Sequence, residues 1–212
     1  MVNLWNQLQN LHPFSRKFLT KWIGLFCLFC LILVSCSSQQ RISSSSPSSS
    51  DNGRITIGTT LKLRTLDPAD AYEVISGNIL YNLGDRLYDY EIGTNQLIPK
   101  LATALPTLSS DGLTYTIPIR KGVLFHDQTP FDAAAMEFSI KRFIQNAGSP
   151  SSLLADTIDT VQATGDYELT IKLKKPFAAF PSLLAFSGIT AVSPQFYEIG
   201  EGKFKPNEFV GT

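Results

Sequence analysis

The chain has 212 residues, with 18 basic and 18 acidic side chains, 43% apolar residues and 17% charged, a composition of one or two globular domains that excludes collagen-like and wholly disordered classes. Its zero net charge is uneven, because the first 35 residues hold Arg16, Lys17 and Lys21 and no acid, leaving 15 basic and 18 acidic residues from Cys36 onward. A mildly acidic body lacks the basic surface with which DNA or RNA is held, so nucleic acid is not an expected partner.

Residues 22–34, WIGLFCLFCLILV, are 13 consecutive residues without a polar side chain. That is short of the roughly 20 needed to span a bilayer, and a basic flank, a short apolar run and a small residue before a break is the layout of a secretory signal peptide over residues 1–35. The break reads Leu33, Val34, Ser35, Cys36, which resembles the bacterial lipobox. The resemblance implies a lipid on Cys36, cleavage before it, and a membrane anchor in the cell envelope, on the periplasmic or extracytoplasmic face. Two or more acyl chains hold a protein at a membrane where one does not, since each buried methylene contributes on the order of 0.8 kcal/mol. Cys27 and Cys30 have C-x-x-C spacing but lie within the segment to be removed, so no disulfide is expected to support the exported body.

Residues 36–53 read as a tether: nine of the fourteen residues 37–50 are Ser, a composition that cannot bury enough apolar surface to offset its ordering entropy. A globular body is then expected over residues 54–212. Ile55 and Ile57 alternate as in a strand over residues 54–60, and Leu66, Asp67, Pro68 mark a turn. Ile75, Ile79, Leu83 and Leu87 recur every four residues, the spacing of a helix whose end Gly84 marks. Leu113, Tyr115, Ile117 and Ile119 alternate after Asp111–Gly112, as in a hairpin strand.

Asp132 is placed to cap a helix running through Met136, Ile140, Phe143 and Ile144 to Asn146 and Gly148, with Lys141 and Arg142 expected to face water. A second hairpin is expected over residues 158–173, turning at Gly165–Asp166, with Tyr167, Leu169, Ile171 and Leu173 alternating. No internal repeat is present, and strands mixed with helices without a regular βαβ rhythm indicate a mixed α/β or α+β fold.

Few side chains in the body offer chemistry. His126 is its one histidine, expected to be a half-buried loop residue with Asp127 pointing away from it. There is no G-x-S-x-G elbow, phosphate loop or dinucleotide fingerprint. Asp67 with Asp70, or Asp156 with Asp159, is the nearest approach to a cation site, and neither has the ligand pattern of an EF-hand. The residues alone point to no catalytic set, metal or cofactor, hence to a non-enzymatic exported body.

Five stretches in order resemble the solute-binding proteins of ABC importers for oligopeptides, dipeptides and nickel, family 5. They are Thr65, Leu66, Asp67, Pro68; then Leu97, Ile98, Pro99, Lys100, Leu101, Ala102; then the run from Ser110, Asp111, Gly112, Leu113, Thr114, Tyr115 through Ile119, Arg120, Lys121, Gly122, Val123 to Phe125, His126, Asp127, Thr129, Pro130; then Tyr167, Glu168, Leu169, Thr170, Leu173, Pro176; and last Phe209, Val210, Gly211, Thr212. Two departures stand out: Gln128 replaces the family's turn glycine, and Ala133, Ala134, Ala135, Met136 replace its usual acidic helix start.

The resemblance implies the N-terminal lobe, with an inserted subdomain, of a type II periplasmic-binding-protein fold, the second lobe lying beyond residue 212 of what would be a fragment. It implies a receptor that captures an oligopeptide or similar small solute, without cofactor, and delivers it to ABC permease subunits in the membrane. The segment after Leu66–Asp67–Pro68, namely Tyr72, Glu73 and Val74, is the candidate ligand contact; the alternative is that Tyr72 and Val74 are ordinary helix-start and core residues. Competing functions are an exported lipid-anchored hydrolase and a non-transporting sensor or vestigial product.

Overall fold

The computed structural model describes residues 55–212, and the folded unit within it runs from Gly58 to Thr212. The expected signal peptide, Cys36 and the Ser-rich tether lie outside the described residues. The strand expected over residues 54–60 is absent from 55–60: Ile55 and Ile57 are 84% and 86% exposed, and without a neighbouring strand their alternation has no sheet to join.

The turn at Leu66–Asp67–Pro68 forms as expected. The Asp67 carbonyl accepts from the N–H groups of Asp70 and Ala71, and its carboxylate accepts from the Ala69 N–H. Helix α1 follows over Val74–Leu83, with Gly84 at its end. Its buried stripe differs from the expected one, for Ser76 and Leu80 face inward, whereas Leu83 is exposed and Leu87 lies past the helix end. Ser76 is drawn in because its hydroxyl donates to the Thr65 carbonyl at 2.8 Å, a bond that a count of apolar spacing does not register.

Strands β1 (Tyr88–Tyr90) and β2 (Leu97–Pro99) form a small antiparallel hairpin. Both longer hairpins expected from the sequence are present. Strands β3 (Thr107–Leu108), β4 (Thr114–Pro118), β5 (Ile158–Gly165) and β6 (Glu168–Leu173) make one antiparallel sheet in the order β3-β4-β6-β5. Tyr115, Ile171 and Val161 lie abreast on β4, β6 and β5, and all three are buried.

Helix α2 (Ala133–Gln145) packs on this sheet at β5 and β6. Its N-cap is Asp132, whose carboxylate accepts from the Ala135 N–H at 2.8 Å, an arrangement contributing about 1 kcal/mol. Two stripes of α2 are buried. Met136, Ile140 and Phe143 join the hydrophobic core, and Ala135, Ser139, Arg142 and Asn146, spaced at 4, 3 and 4 residues, form a second stripe. Ser139 Oγ binds both the carbonyl and the N–H of Val192.

The second stripe corrects the expectation that Arg142 faces water. Its side chain is 1% exposed and ion-paired, whereas Lys141 is partly exposed and pairs with Glu137 one turn earlier. Short helices α3 (Ser152–Ala155) and α4 (Phe180–Leu183) and a 3-10 turn at Ser187–Ile189 complete the elements. Helices set against an antiparallel sheet make this a mixed α+β fold, as expected.

Gln128 stands at φ 68°, and its turn still closes, with the Gln128 N–H on the Phe125 carbonyl at 2.8 Å and the Phe125 N–H on the Thr129 carbonyl at 2.9 Å. The departure from glycine thus leaves the tight turn in place, at the cost of a left-handed backbone on a non-glycine residue.

Candidate functional site

Three segments meet at the start of α1. The stretch before the helix holds Ala71, Tyr72 and Glu73; the helix presents Val74, Gly77, Asn78 and Tyr81; and Phe186 and Ser187 come from the far side of the chain. Together they line a shallow pocket of about 220 Å³. The helical members sit at i, i+3, i+4 and i+7, so one face of α1 forms one wall. Tyr72 and Val74 are 61% and 73% exposed, which excludes a core role for them. Glu73 is the N-cap residue of α1 by position, although its side chain makes no cap bond.

That side chain is engaged elsewhere. Arg64 donates Nε to the Glu73 carboxylate and Nη1 to that of Asp70, with Nη2 on the Asp70 carbonyl at 2.6 Å. The hydrogen bond from Arg64 holds the Glu73 carboxyl below the usual glutamate range, and the Asp70 and Glu73 carboxylates hold the Arg64 guanidinium even more firmly charged than usual. Both acids beside the pocket therefore already face a cation.

The aromatic walls are fixed from behind. Tyr72 and Phe186 meet edge to face with ring centroids 6.5 Å apart, and Phe186 meets buried Phe143 in the same manner at 6.3 Å. The Tyr81 hydroxyl donates to the Ala185 carbonyl at 3.1 Å, while the Arg86 guanidinium lies 4.1 Å from the Tyr81 ring centroid. Arg86 is 2% exposed, and its charge is met by Asp89 at 2.9 Å and the Gly84 carbonyl at 3.2 Å. Its Nε has no hydrogen-bond partner among the described residues.

The remaining candidates lie apart from one another. His126 is exposed rather than half-buried; its Nδ1 accepts from the Gly211 N–H at 3.4 Å and its ring stacks edge to face on Phe209. Asp127 turns instead to Ser193 and Thr129, accepting from their hydroxyls at 2.5 and 2.6 Å. Burial pushes the Asp127 carboxyl up, but those hydroxyl bonds together with backbone N–H bonds, chiefly from Thr129, leave the group below the usual aspartate range. Histidine, carboxylate and serine are present here without the relay contact that nucleophilic catalysis needs.

Of the carboxylates considered for a cation, Asp67 is committed to Arg142, Asp70 to Arg64, and Asp159 lies 3.6 Å from Lys172. Among the described residues no group of three or more metal-ligating side chains converges. A second recess of about 630 Å³, lined by Leu97, Leu105, Leu108, Tyr115 and Pro181 among others, has no charged residue on its walls among the described residues.

Residues 96–212 match the family model described as bacterial extracellular solute-binding proteins, family 5, middle region. The chain belongs to this family. Among its family 5 relatives, the glutathione-binding protein GsiB of Pectobacterium atrosepticum is 32% identical over 166 residues, covering 71% of this chain and 31% of the relative. The DppA periplasmic binding protein of Helicobacter pylori, solved with the peptide STSA, is similar with a TM-score of 0.56 and 27% identity, over 62% of this chain and 29% of that one. An ABC transporter substrate-binding protein of Sinorhizobium meliloti is similar with a TM-score of 0.59 and 29% identity, over 70% and 30% of the two chains. The chain thus spans about three tenths of the length of these family 5 proteins.

The sequence offers Tyr72, Glu73 and Val74 as candidates but not Arg64, Gly77, Tyr81, Arg86 or Phe186, which line or support the same pocket. A signal for Tyr81 was present, since Val74, Asn78 and Tyr81 share a helical face. None existed for Phe186, which arrives from more than a hundred residues away.

Proposed function

We propose that this protein is the substrate-binding component of an ABC importer, capturing a peptide-like solute and delivering it to a membrane permease, with lipid on Cys36 holding it at the cell envelope. In this reading residues 54–212 contribute lobe one and its inserted subdomain, and residues 36–53 are the tether. The observation that carries it is the exposed segment Tyr72–Glu73–Val74 on the rim of a preformed pocket, with its charges already paired. An extended ligand laid along such a segment gains main-chain hydrogen bonds from the backbone and selectivity from the pocket beside it. The names of relatives agree in chemistry, since glutathione is itself a small peptide and DppA was solved with one.

Calorimetric titration of the protein with the tetrapeptide Ser-Thr-Ser-Ala and with glutathione tests the reading. In this reading a protein with both lobes binds at least one of them near the micromolar range, about −8 kcal/mol, whereas residues 54–212 alone, which offer one side of the cleft, bind in the millimolar range or more weakly. Tyr72→Ala should weaken it about tenfold or more, because an exposed aromatic rim gives much of its area to a ligand. Absence of binding of both solutes to the two-lobed protein, or full affinity in its Tyr72→Ala variant, would refute the peptide reading or the contact segment respectively.

A further inference from the structure

We infer that the pocket beside α1 takes one uncharged apolar or aromatic side chain of the captured solute, and that Gly77 sets how large that side chain can be; this rests on the solute-binding reading above. The volume comes first. At about 220 Å³ the pocket is smaller than the roughly 300–1,000 Å³ that encloses a whole small ligand, so it accommodates a part of one.

Its charge balance decides which part. No residue of α1 between Val74 and Leu83 is charged, and the polar groups on the walls besides Glu73 are Asn78 and Ser187 with the two tyrosine hydroxyls. A cationic side chain would find Glu73 already bound to Arg64, and the Tyr81 ring already carrying the Arg86 guanidinium, which uses much of the attraction that the ring offers a cation. An anionic side chain would meet Glu73 with no basic residue on the walls, among the described residues, to offset it. A neutral side chain incurs neither cost and gains the aromatic edges of Tyr72 and Phe186.

Gly77 lies on the pocket wall, between Val74 and Tyr81 on the helix face. A Cβ placed there meets only Ser187 Oγ, at 3.4 Å, an ordinary contact. Alanine therefore fits and favours the helix over glycine, whereas any longer side chain projects into the space that a ligand side chain would fill. The rings behind the pocket cannot retreat, because Phe186 is packed on Phe143 and a Cβ on neighbouring Gly188 would come within 2.5 Å of the Phe186 ring.

The test measures affinity of the two-lobed protein for Ala-Ala-Ala-Ala and for the twelve variants in which each position in turn is Phe, Lys or Asp. At one position Phe is expected to bind on the order of tenfold or more tighter than Ala, with Lys and Asp no tighter than Ala. Gly77→Leu should reduce that Phe-to-Ala ratio to near one. Gly77→Ala, which the surroundings admit, should reduce it in part and guards against a folding defect in the larger variant. A Phe-to-Ala ratio of one at every position, a preference for Lys or Asp, or a ratio unchanged in both Gly77 variants overturns the inference while leaving peptide capture intact. Failure of all thirteen peptides to bind overturns peptide capture itself, and the pocket assignment with it.

Discussion

Arg142 on α2 grips both oxygens of Asp67, 75 residues earlier in the chain, with Nη1 to Oδ1 at 2.7 Å and Nη2 to Oδ2 at 2.6 Å. Neither side chain has more than 1% of its surface exposed. The same pair organises its surroundings, since Arg142 also donates to the carbonyls of Glu198 and Lys203, Asp67 accepts from the Lys205 N–H, and the Tyr197 ring centroid lies 4.4 Å from the guanidinium. Removing one partner leaves a buried charge unmet. Arg142→Ala is therefore expected to cost about 3–5 kcal/mol, and Arg142→Lys most of that, because an ammonium cannot reproduce the two parallel bonds. Urea unfolding followed by circular dichroism measures both; an Arg142→Lys variant as stable as wild type would show that charge alone suffices.

Acid should loosen the contact between α2 and the edge strand β5. Glu137 accepts from the Ala163 N–H at 2.6 Å and pairs with Lys141. Burial pushes the Glu137 carboxyl up, but the Lys141 ammonium and the Ala163 N–H together bring it below the ordinary glutamate value of about 4.5. A carboxyl that titrates lower in the folded state stabilises fully above its unfolded value and loses that contribution as pH falls through the folded one. Stability measured from pH 7 down to pH 3 should thus decline below about pH 4.5, and Glu137→Gln should flatten part of that decline. Parallel profiles for the two proteins would remove Glu137 from the account.

What could be read in advance was governed by local rules. Alternating Tyr115 and Ile117, the tight turn after β5 and the Asp132 cap each depend on neighbours within a few residues; all three are present, the turn one residue later than Gly165–Asp166, at Asp166–Tyr167, because Gly165 pairs with Glu168. Arg142 reads as solvated in the sequence because its binding partner, Asp67, is 75 residues away and is brought to it only by the fold. Ser76 was overlooked for the same reason, its hydroxyl serving the Thr65 carbonyl. The pocket was half legible: the α1 face follows from spacing of four and three, but the opposite wall at Phe186–Ser187 depends on tertiary packing that periodicity does not encode.

The lipid anchor proposed for Cys36 makes a prediction that needs no folded-state argument. Wild-type protein expressed in a bacterial host should sediment with membranes, and its mass should match a chain beginning at an acylated Cys36. Cys36→Ser should move it to the soluble fraction or leave an unprocessed chain held by residues 22–34. Membrane-bound protein of unmodified mass, with residues 1–35 attached, would replace the lipid by the apolar run as the anchor.

The turn at Gln128 offers a gain in stability. Its φ of 68° lies in the left-handed region, where a side chain costs roughly 1–2 kcal/mol and glycine costs nothing. The side chain is exposed, so removing it forfeits little packing. Against this, glycine gives the unfolded chain more freedom, worth about 0.4–1 kcal/mol. The difference favours Gln128→Gly by a few tenths to about 1 kcal/mol, which for a chain of this size raises Tm by roughly 1–4 °C. Gln128→Ala keeps the strained backbone and should stay close to wild type, whereas Gln128→Val, branched at Cβ, should fall below it. The order Gly, then Gln with Ala, then Val is the signature of a backbone effect, and thermal melts of the four proteins establish it. A Gln128→Gly protein less stable than wild type would mean that the Gln128 side chain makes a contact outweighing the strain of its backbone.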